Sequence, residues 1–235
     1  MHAVNRTNRH GLAANDRSKS LNDAVKPFNL MATLALTGAC ARGEKIYRQD
    51  DLAEHWYRVI SGMVRICAMQ ADGRRQIVDL VVAGNFFGFC AGERHYFCAE
   101  SVMNGTVIAR YPRRQVESLA DCDHRVARCV RELTVEAIAH MQARMLVLGR
   151  MTATEKVGMF LIEMAERSHR QSVHDIALPM SRSDIADYLA LSVETVCRVL
   201  SDLKHSGTIR LSGLHRVTIM NHSALARCAR NGVGF

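Results

Sequence analysis

Between residues 40 and 111, short runs rich in Val, Ile, Phe and Tyr are interrupted at turn-like intervals by Gly43, Gly62, Gly73, Gly84, Gly88, Gly92 and Gly105. This spacing predicts a small antiparallel β-domain. Its clearest stretch is HWYRVISGMVRICAMQADGRRQIVDLVVAG, where Val59, Gly62 and Val64 lead into Ile66, the ADG at 71–73 reverses the chain, and 77–82 returns. Two strands and a hairpin are the economical reading. Residues 1–27 are rich in Asn, Arg and Ser and carry no repeating apolar pattern, which predicts a flexible tail.

Beyond Pro112 the next proline is Pro179, and 123–150 has no glycine before Gly149. A helix of roughly 26 residues, ~40 Å long, follows from that. Val130, Leu133, Ala137, Met141, Met145 and Leu148 step by three or four along it and make a narrow apolar stripe. Such a stripe suits a two-helix seam between copies of the chain. The other reading of the same pattern is a helix packed on its own β-domain. Residues 152–168 again show helical spacing, with Val157, Phe160, Leu161, Met164 and Ala165 on one side.

The segment LPMSRSDIADYLALSVETVCRVLSDLKHSGTIRLSGLHRVTIMN carries the most chemistry. Ser181 followed three residues later by Asp184, ahead of Ile185 and Leu189, predicts a capped helix start. That helix runs to about Ala190, Leu191-Ser192 makes a tight break, and a second helix covers about 193–205 before Gly207. Two short helices joined this way form a helix-turn-helix. Val193, Val196, Leu200 and Leu203 make the expected buried face of the second helix, and Glu194, Cys197, Arg198 and Ser201 project from the opposite side. A carboxylate accepts from cytosine N4 and a guanidinium donates twice to guanine, so one turn of helix can address neighbouring base pairs. An i,i+4 ion pair on a solvated helix has the same spacing, and the spacing by itself does not choose. Ile209, Leu211, Val217 and Ile219 around Ser212-Gly213 predict a β-hairpin wing. Arg182, Thr195, Lys204, Arg210, His215 and Arg216 are candidates for phosphate contacts, which position a protein on DNA without reading sequence.

Composition supports an ordinary globular chain: 235 residues, 48% hydrophobic and 23% charged. The formal charge of +8 suits an anionic partner. The basic excess is spread, however, with 21 Lys/Arg against 15 Asp/Glu before residue 151 and 10 against 8 from there on, so charge does not locate the site. No run reaches the ~20 apolar residues of a membrane span, and no hydrophobic segment follows the early basic residues as a secretory signal requires. The expected location is the cytoplasm, with no membrane partner. Eight scattered cysteines without a CxxC pair fit reduced thiols. No nucleophile elbow, P-loop, GxGxxG or HExxH occurs, and no enzyme is expected.

The succession of β-domain, long helix and winged helix-turn-helix over about residues 28–222 resembles the CRP/FNR family of bacterial transcription regulators. WYRVISGMVRI followed by ADGRRQIVDLVVAGNFFGF is similar to the family's strand-turn-strand, and SRSDIADYLALSVETVCRVLSDLKHSG is close to the FNR branch, whose base-reading Glu and Arg match Glu194 and Arg198. The resemblance implies an α+β chain in which the tail (1–27) precedes a cyclic-nucleotide-binding-like antiparallel β-roll (28–121). A dimerisation helix (122–150) and a winged helix-turn-helix (151–235) complete it. It implies a homodimer that presents two reading helices ~34 Å apart to a palindrome of TTGAT-like half-sites. Double-stranded DNA and RNA polymerase are the implied partners, and an activator of genes for low-oxygen or nitrogen-oxide respiration is the implied function.

Departures from the family pattern narrow the branch. Residues 1–39 contain no cysteine, so an FNR-type iron-sulfur cluster has no N-terminal ligands. Where a cyclic-nucleotide cassette needs a phosphate-binding Arg after its Gly-Glu pair, this chain has Gly92-Glu93 and then Ala99-Glu100-Ser101, and a carboxylate facing a phosphate repels it. The FixK branch, with FNR-type reading and no cluster, fits best; no cofactor and no required effector are expected. The histidines, among them His95, His124, His140, His169 and His174, show no HxxxH or His/Cys cluster that would hold a metal or haem. Cys197 stands where the FNR-type helix usually has Ser. It is either a small silent residue on the DNA-facing stripe or a thiol redox switch that blocks docking when oxidised. A haem-, ligand- or redox-gated regulator is the competing reading.

Overall fold

The computed structural model describes residues 31–70, 72–167, 175–213 and 215–230. The expected tail at 1–27, and His169 and His174, lie outside the described residues.

Eight strands build the first half: β1 (Leu36–Cys40), β2 (Lys45–Tyr47), β3 (His55–Ser61), β4 (Met63–Met69), β5 (Arg75–Val82), β6 (Phe86–Phe87), β7 (Cys98–Ser101) and β8 (Thr106–Pro112). They form two antiparallel four-stranded sheets, ordered β1-β8-β3-β6 and β2-β7-β4-β5. Tyr47, Tyr57, Val59, Val64, Ile66, Val81, Phe87 and Ile108 fill the space between them.

The stretch read as two strands and a hairpin therefore holds three strands, and they belong to both sheets. The reason is Gly62. Its φ of +87° turns the chain from β3 into β4, and a Cβ there would come within 2.6 Å of the Thr106 hydroxyl and 2.8 Å of the Thr106 backbone. Only glycine takes that conformation in that space.

Helix α1 (Arg113–Cys122) follows β8, and Asp123 then caps the long helix α2 (His124–Arg150) by accepting from the Arg125 backbone N–H at 2.9 Å. Pattern does not announce α1, because Val116 is its only fully buried residue. The second half contains α3 (Ala153–Arg167), β9 (Asp175–Ala177), α4 (Arg182–Leu189), α5 (Val193–His205), β10 (Ile209–Leu211), β11 (Arg216–Ile219) and α6 (His222–Arg230). Strands β10, β11 and β9 pair antiparallel in that order, which is the expected wing with one extra strand.

Both faces of the second sheet are buried. Its outer residues Met63, Cys67, Ile77, Leu80 and Cys98, with Val102 just beyond β7, share one core with Phe160, Leu161, Met164, Ile185, Leu189, Val196 and Leu200 of the helical half. The β-roll and the helix-turn-helix are packed together through that core rather than tethered.

Candidate nucleic-acid interface

Local chemistry sets the helix-turn-helix. The Ser181 hydroxyl accepts from the Asp184 backbone N–H at 3.1 Å, and Asp184 Oδ2 accepts from the Ser181 N–H at 3.0 Å, a complete capping box. Helix α4 stops at Ala190, whose φ of +52° and ψ of +51° are left-handed. The Ser192 hydroxyl then accepts from the Thr195 N–H at 3.1 Å and starts α5.

Val196, Val199, Leu200 and Leu203 bury α5 against α3 and α4. This corrects one expectation: Val193, at the first turn, is 43% exposed, and Val199 takes the fourth core position. Glu194, Cys197, Arg198 and Ser201 are all exposed on the other side. Ser201 spends its hydroxyl proton on the Cys197 carbonyl at 2.9 Å. Among the described residues, no salt bridge joins Glu194 to Arg198, so the ion-pair reading of their spacing is not the one the structure adopts. Both side chains are exposed to solvent.

Around this face, Lys204, Arg210, His215 and Arg216 are exposed and Thr195 is half-buried. His215 shares its Nδ1 with the Leu178 carbonyl at 3.0 Å, which fixes the ring on the wing. Arg182 differs from the rest. One of its terminal nitrogens is buried without a hydrogen-bond partner, and burial holds its guanidinium below the usual arginine range.

The long helix divides its apolar residues between two surfaces. Val130 packs against the cluster of Trp56, Tyr111, Val116 and Val126. Leu133, Ala137 and Leu148 are half-buried along a cavity of about 710 Å³ between α2 and the β-roll. Met141 and Met145 also border that cavity, yet they are 62% and 72% exposed and run into a second row made by Val135, Ile138 and Leu146. At 100° per residue this exposed row is turned about the helix axis from the stripe read in the sequence and shares only its two methionines.

Glu100 is not among the residues lining this cavity. That carboxylate accepts from Arg65 Nε at 2.6 Å on the side facing α4, and the cavity is lined instead by Ile66, Phe86, Phe87, Phe89 and Tyr96 with the α2 residues. Its arginines are committed elsewhere. Arg167 donates to the Leu80 carbonyl at 2.8 Å and Arg144 to the Tyr188 carbonyl at 2.8 Å.

Two family models match the chain: a cyclic nucleotide-binding domain over residues 39–122 and a Crp-like helix-turn-helix domain over 155–228. The nitrogen fixation regulation protein FixK of Azorhizobium caulinodans is 38% identical over 214 residues, which cover 90% of this chain and 86% of that protein. The chain belongs to the CRP/FNR family of transcription regulators. Within that family it groups with FixK: the FixK of Rhizobium meliloti is 39% identical over 183 residues, covering 78% of this chain and 82% of its relative. The structure of FixK2 from Bradyrhizobium japonicum superposes with a TM-score of 0.79 at 36% identity, covering 85% of this chain and 99% of that one. This CRP/FNR member is thus a helix-turn-helix regulator of the kind the reading helix suggests. No helix among the described residues is long and apolar enough to cross a membrane.

The thiols of this regulator range from buried (Cys40, Cys67, Cys98, Cys129) through half-buried (Cys90, Cys228) to exposed. Burial pushes Cys67 up to about 12 and Cys129 up to about 11, which suppresses thiolate chemistry there. Cys122 and Cys197 are exposed. No group of three or more His, Cys, Asp or Glu among the described residues is arranged to hold a metal ion.

Sequence reasoning missed His140 as a junction. It stands on α2 between Asp79 of β5, 3.8 Å from Nδ1, and Glu163 of α3, 3.6 Å from Nε2, with an Arg167 nitrogen 3.2 Å from Nε2. The Glu163 carboxylate, aided by Asp79, raises the imidazole above its ordinary 6.5 against the effects of burial and Arg167. A histidine raised on folding stabilises the fold in full below its unfolded pKa and loses that contribution as pH rises through the folded value. As pH rises above 6.5 the melting temperature should therefore fall more steeply in the wild type than in His140→Gln. His95, which burial keeps below 6.5, is present in both proteins, so its contribution cancels in the comparison. Parallel melting curves for the two proteins would refute the assignment.

Proposed function

We propose that this chain is a homodimeric transcription activator that reads a palindrome of TTGAT-like half-sites upstream of genes for low-oxygen or nitrogen-oxide respiration. Supporting it is one observation above the others: Glu194 and Arg198 lie one turn apart, exposed, near the N-terminus of α5, the end that enters a major groove in this motif. Glu194 accepts from cytosine N4 and Arg198 donates to guanine O6 and N7. Cys197 and Ser201 complete the reading face. Thr195, Lys204, Arg210, His215 and Arg216 hold phosphates, and Arg182 contributes from the edge. The domain division is at residues 28, 122 and 151, with the dimer seam along α2. Met141 and Met145 form the centre of that seam, joined by Val135, Ile138 and Leu146, whose exposure makes them the surface in need of a partner. RNA polymerase is the second protein partner, and the place of work is the cytoplasm.

The deciding experiment is selection of binding sites from random DNA with purified protein and no added small molecule. Recovery of a TTGAT-like palindrome supports the reading; recovery of no sequence overturns it. A second reading, a regulator gated by a small molecule, is favoured by the cavity of about 710 Å³ beside α2. Under it, specific binding appears only when an effector is supplied.

Phosphate and base contacts separate by their salt response. Lys204→Ala or Arg216→Ala should weaken binding to all duplexes alike and lower the slope of log affinity against log salt by about one unit for each lost contact at each half-site. Glu194→Ala should leave that slope unchanged, and measuring the slopes by fluorescence anisotropy checks both.

A further inference from the structure

Besides the Arg167 and His140 contacts of α3, a set of polar groups far from it in sequence, on β4, β5 and α2, grips α4 of the reading module. Arg65 on β4 donates through Nη1 to Asp184 Oδ1 at 2.8 Å and through Nε to Glu100 at 2.6 Å. Arg75 on β5 donates through Nη2 to Asp184 Oδ1 at 2.5 Å and to Asp187 Oδ2 at 2.6 Å, and its Nε reaches Asp187 Oδ2 at 2.9 Å. Next to it, the Gln76 side-chain amide donates to the Asp187 carbonyl. At the far end of α4, Arg144 of α2 donates to the Tyr188 carbonyl at 2.8 Å, and its guanidinium lies 3.6 Å from the centre of the Tyr188 ring.

Such contacts are directional. The Asp184 side chain is only 4% exposed, and its second oxygen serves the capping box, so the arginines have one way to meet it. Because Ile185 and Leu189 of α4 share a core with Val196 and Leu200 of α5, an orientation imposed on α4 is passed to the reading helix. Glu194, Cys197, Arg198 and Ser201 stay exposed while α4 is gripped, so the grip does not cover the reading face.

We propose that Arg75, with Arg65 and Arg144, is a positioning residue for DNA reading: from outside the helix-turn-helix it sets the angle at which α5 is presented, holding the free protein ready for a duplex. The inference rests on the DNA-reading role proposed above. In a dimer the angle counts twice, because both helices must meet half-sites ~34 Å apart. A single half-site makes no such demand.

The test compares Arg75→Glu, Asp187→Arg and the double variant in the intact chain. Three readouts are needed: affinity for the selected palindrome, affinity for a duplex with one half-site, and hydrogen exchange of α4. Arg75 and Asp187 are each 25% exposed, so both single variants are expected to fold, which a melting curve verifies. Arg75→Glu should lose about tenfold or more on the palindrome and under about threefold on the half-site, with faster exchange in α4; the double variant, its charges exchanged, should regain most of all three. Unchanged exchange in α4 overturns the proposal whatever the DNA does. Equal losses on both duplexes with a lowered melting temperature would mark Arg75 as merely structural, and tighter palindrome binding would mark a grip that restrains reading; each overturns it. Should the wild type itself show no preference for a palindrome, the DNA-reading assignment fails, and the exchange result still decides whether Arg75 holds α4.

Discussion

Arg198→Ala is expected to cost about 1–3 kcal/mol at each half-site, so a dimer on a palindrome should lose roughly 30-fold to more than 10⁴-fold in affinity. Glu194→Ala should fall in the same range. The loss is confined to the base each side chain reads: with its guanine pair replaced, the wild type should bind as poorly as Arg198→Ala does, and the variant should become indifferent to that position. The exposure of both residues on α5 makes this a clean experiment, since neither contributes to the Val196, Val199, Leu200 and Leu203 face that holds the helix in place. Competition binding with single-base variants of the site measures it. A uniform loss over all variants would move both residues from base reading to phosphate contact.

Ile138→Glu is expected to convert the dimer to monomers at micromolar concentration and to abolish palindrome binding. Ile138 is 50% exposed in the single chain and lies between Val135 and Met141 on the unpartnered row of α2. In a two-helix seam the substitution buries two like charges without partners, a cost of several kcal/mol. Leu133→Glu is the comparison, because Leu133 is half-buried against the cavity and off that row. It should weaken association much less and show its effect in stability instead. Sedimentation equilibrium of the two variants distinguishes the cases, and equal dissociation by both would return the seam to the stripe of Leu133, Ala137 and Leu148.

Much of this regulator is legible along the chain where structure is local. Caps are the plainest case: Ser181 with Asp184, and Ser192 with Thr195, fix where α4 and α5 begin by hydrogen bonds spanning three residues. The wing follows from alternation about Gly213, and the reading face follows from the 3.6-residue period that puts Glu194 opposite Val196 and Leu200. The base-reading role proposed for Glu194 and Arg198 is a different matter. Their spacing alone fits an ordinary ion pair as well, and the resemblance to the FNR branch chose between the two.

By itself, the sequence determined the succession of β-domain, long helix and winged helix-turn-helix, the capped starts of α4 and α5 and which side chains leave α5 on its polar side, because each depends on neighbours close along the chain, while α1 and the third strand of the β3–β5 stretch escaped it. Tertiary structure alone decided what covers each surface. It split the apolar positions of α2 between a cavity and an open row, turned Glu100 toward Arg65, set His140 between Asp79 and Glu163, and brought Arg75 onto Asp184 and Asp187 across more than a hundred residues of chain. Period and composition record that a residue is apolar or charged. They carry no term for a partner that reaches it only when elements distant in the chain close on one core.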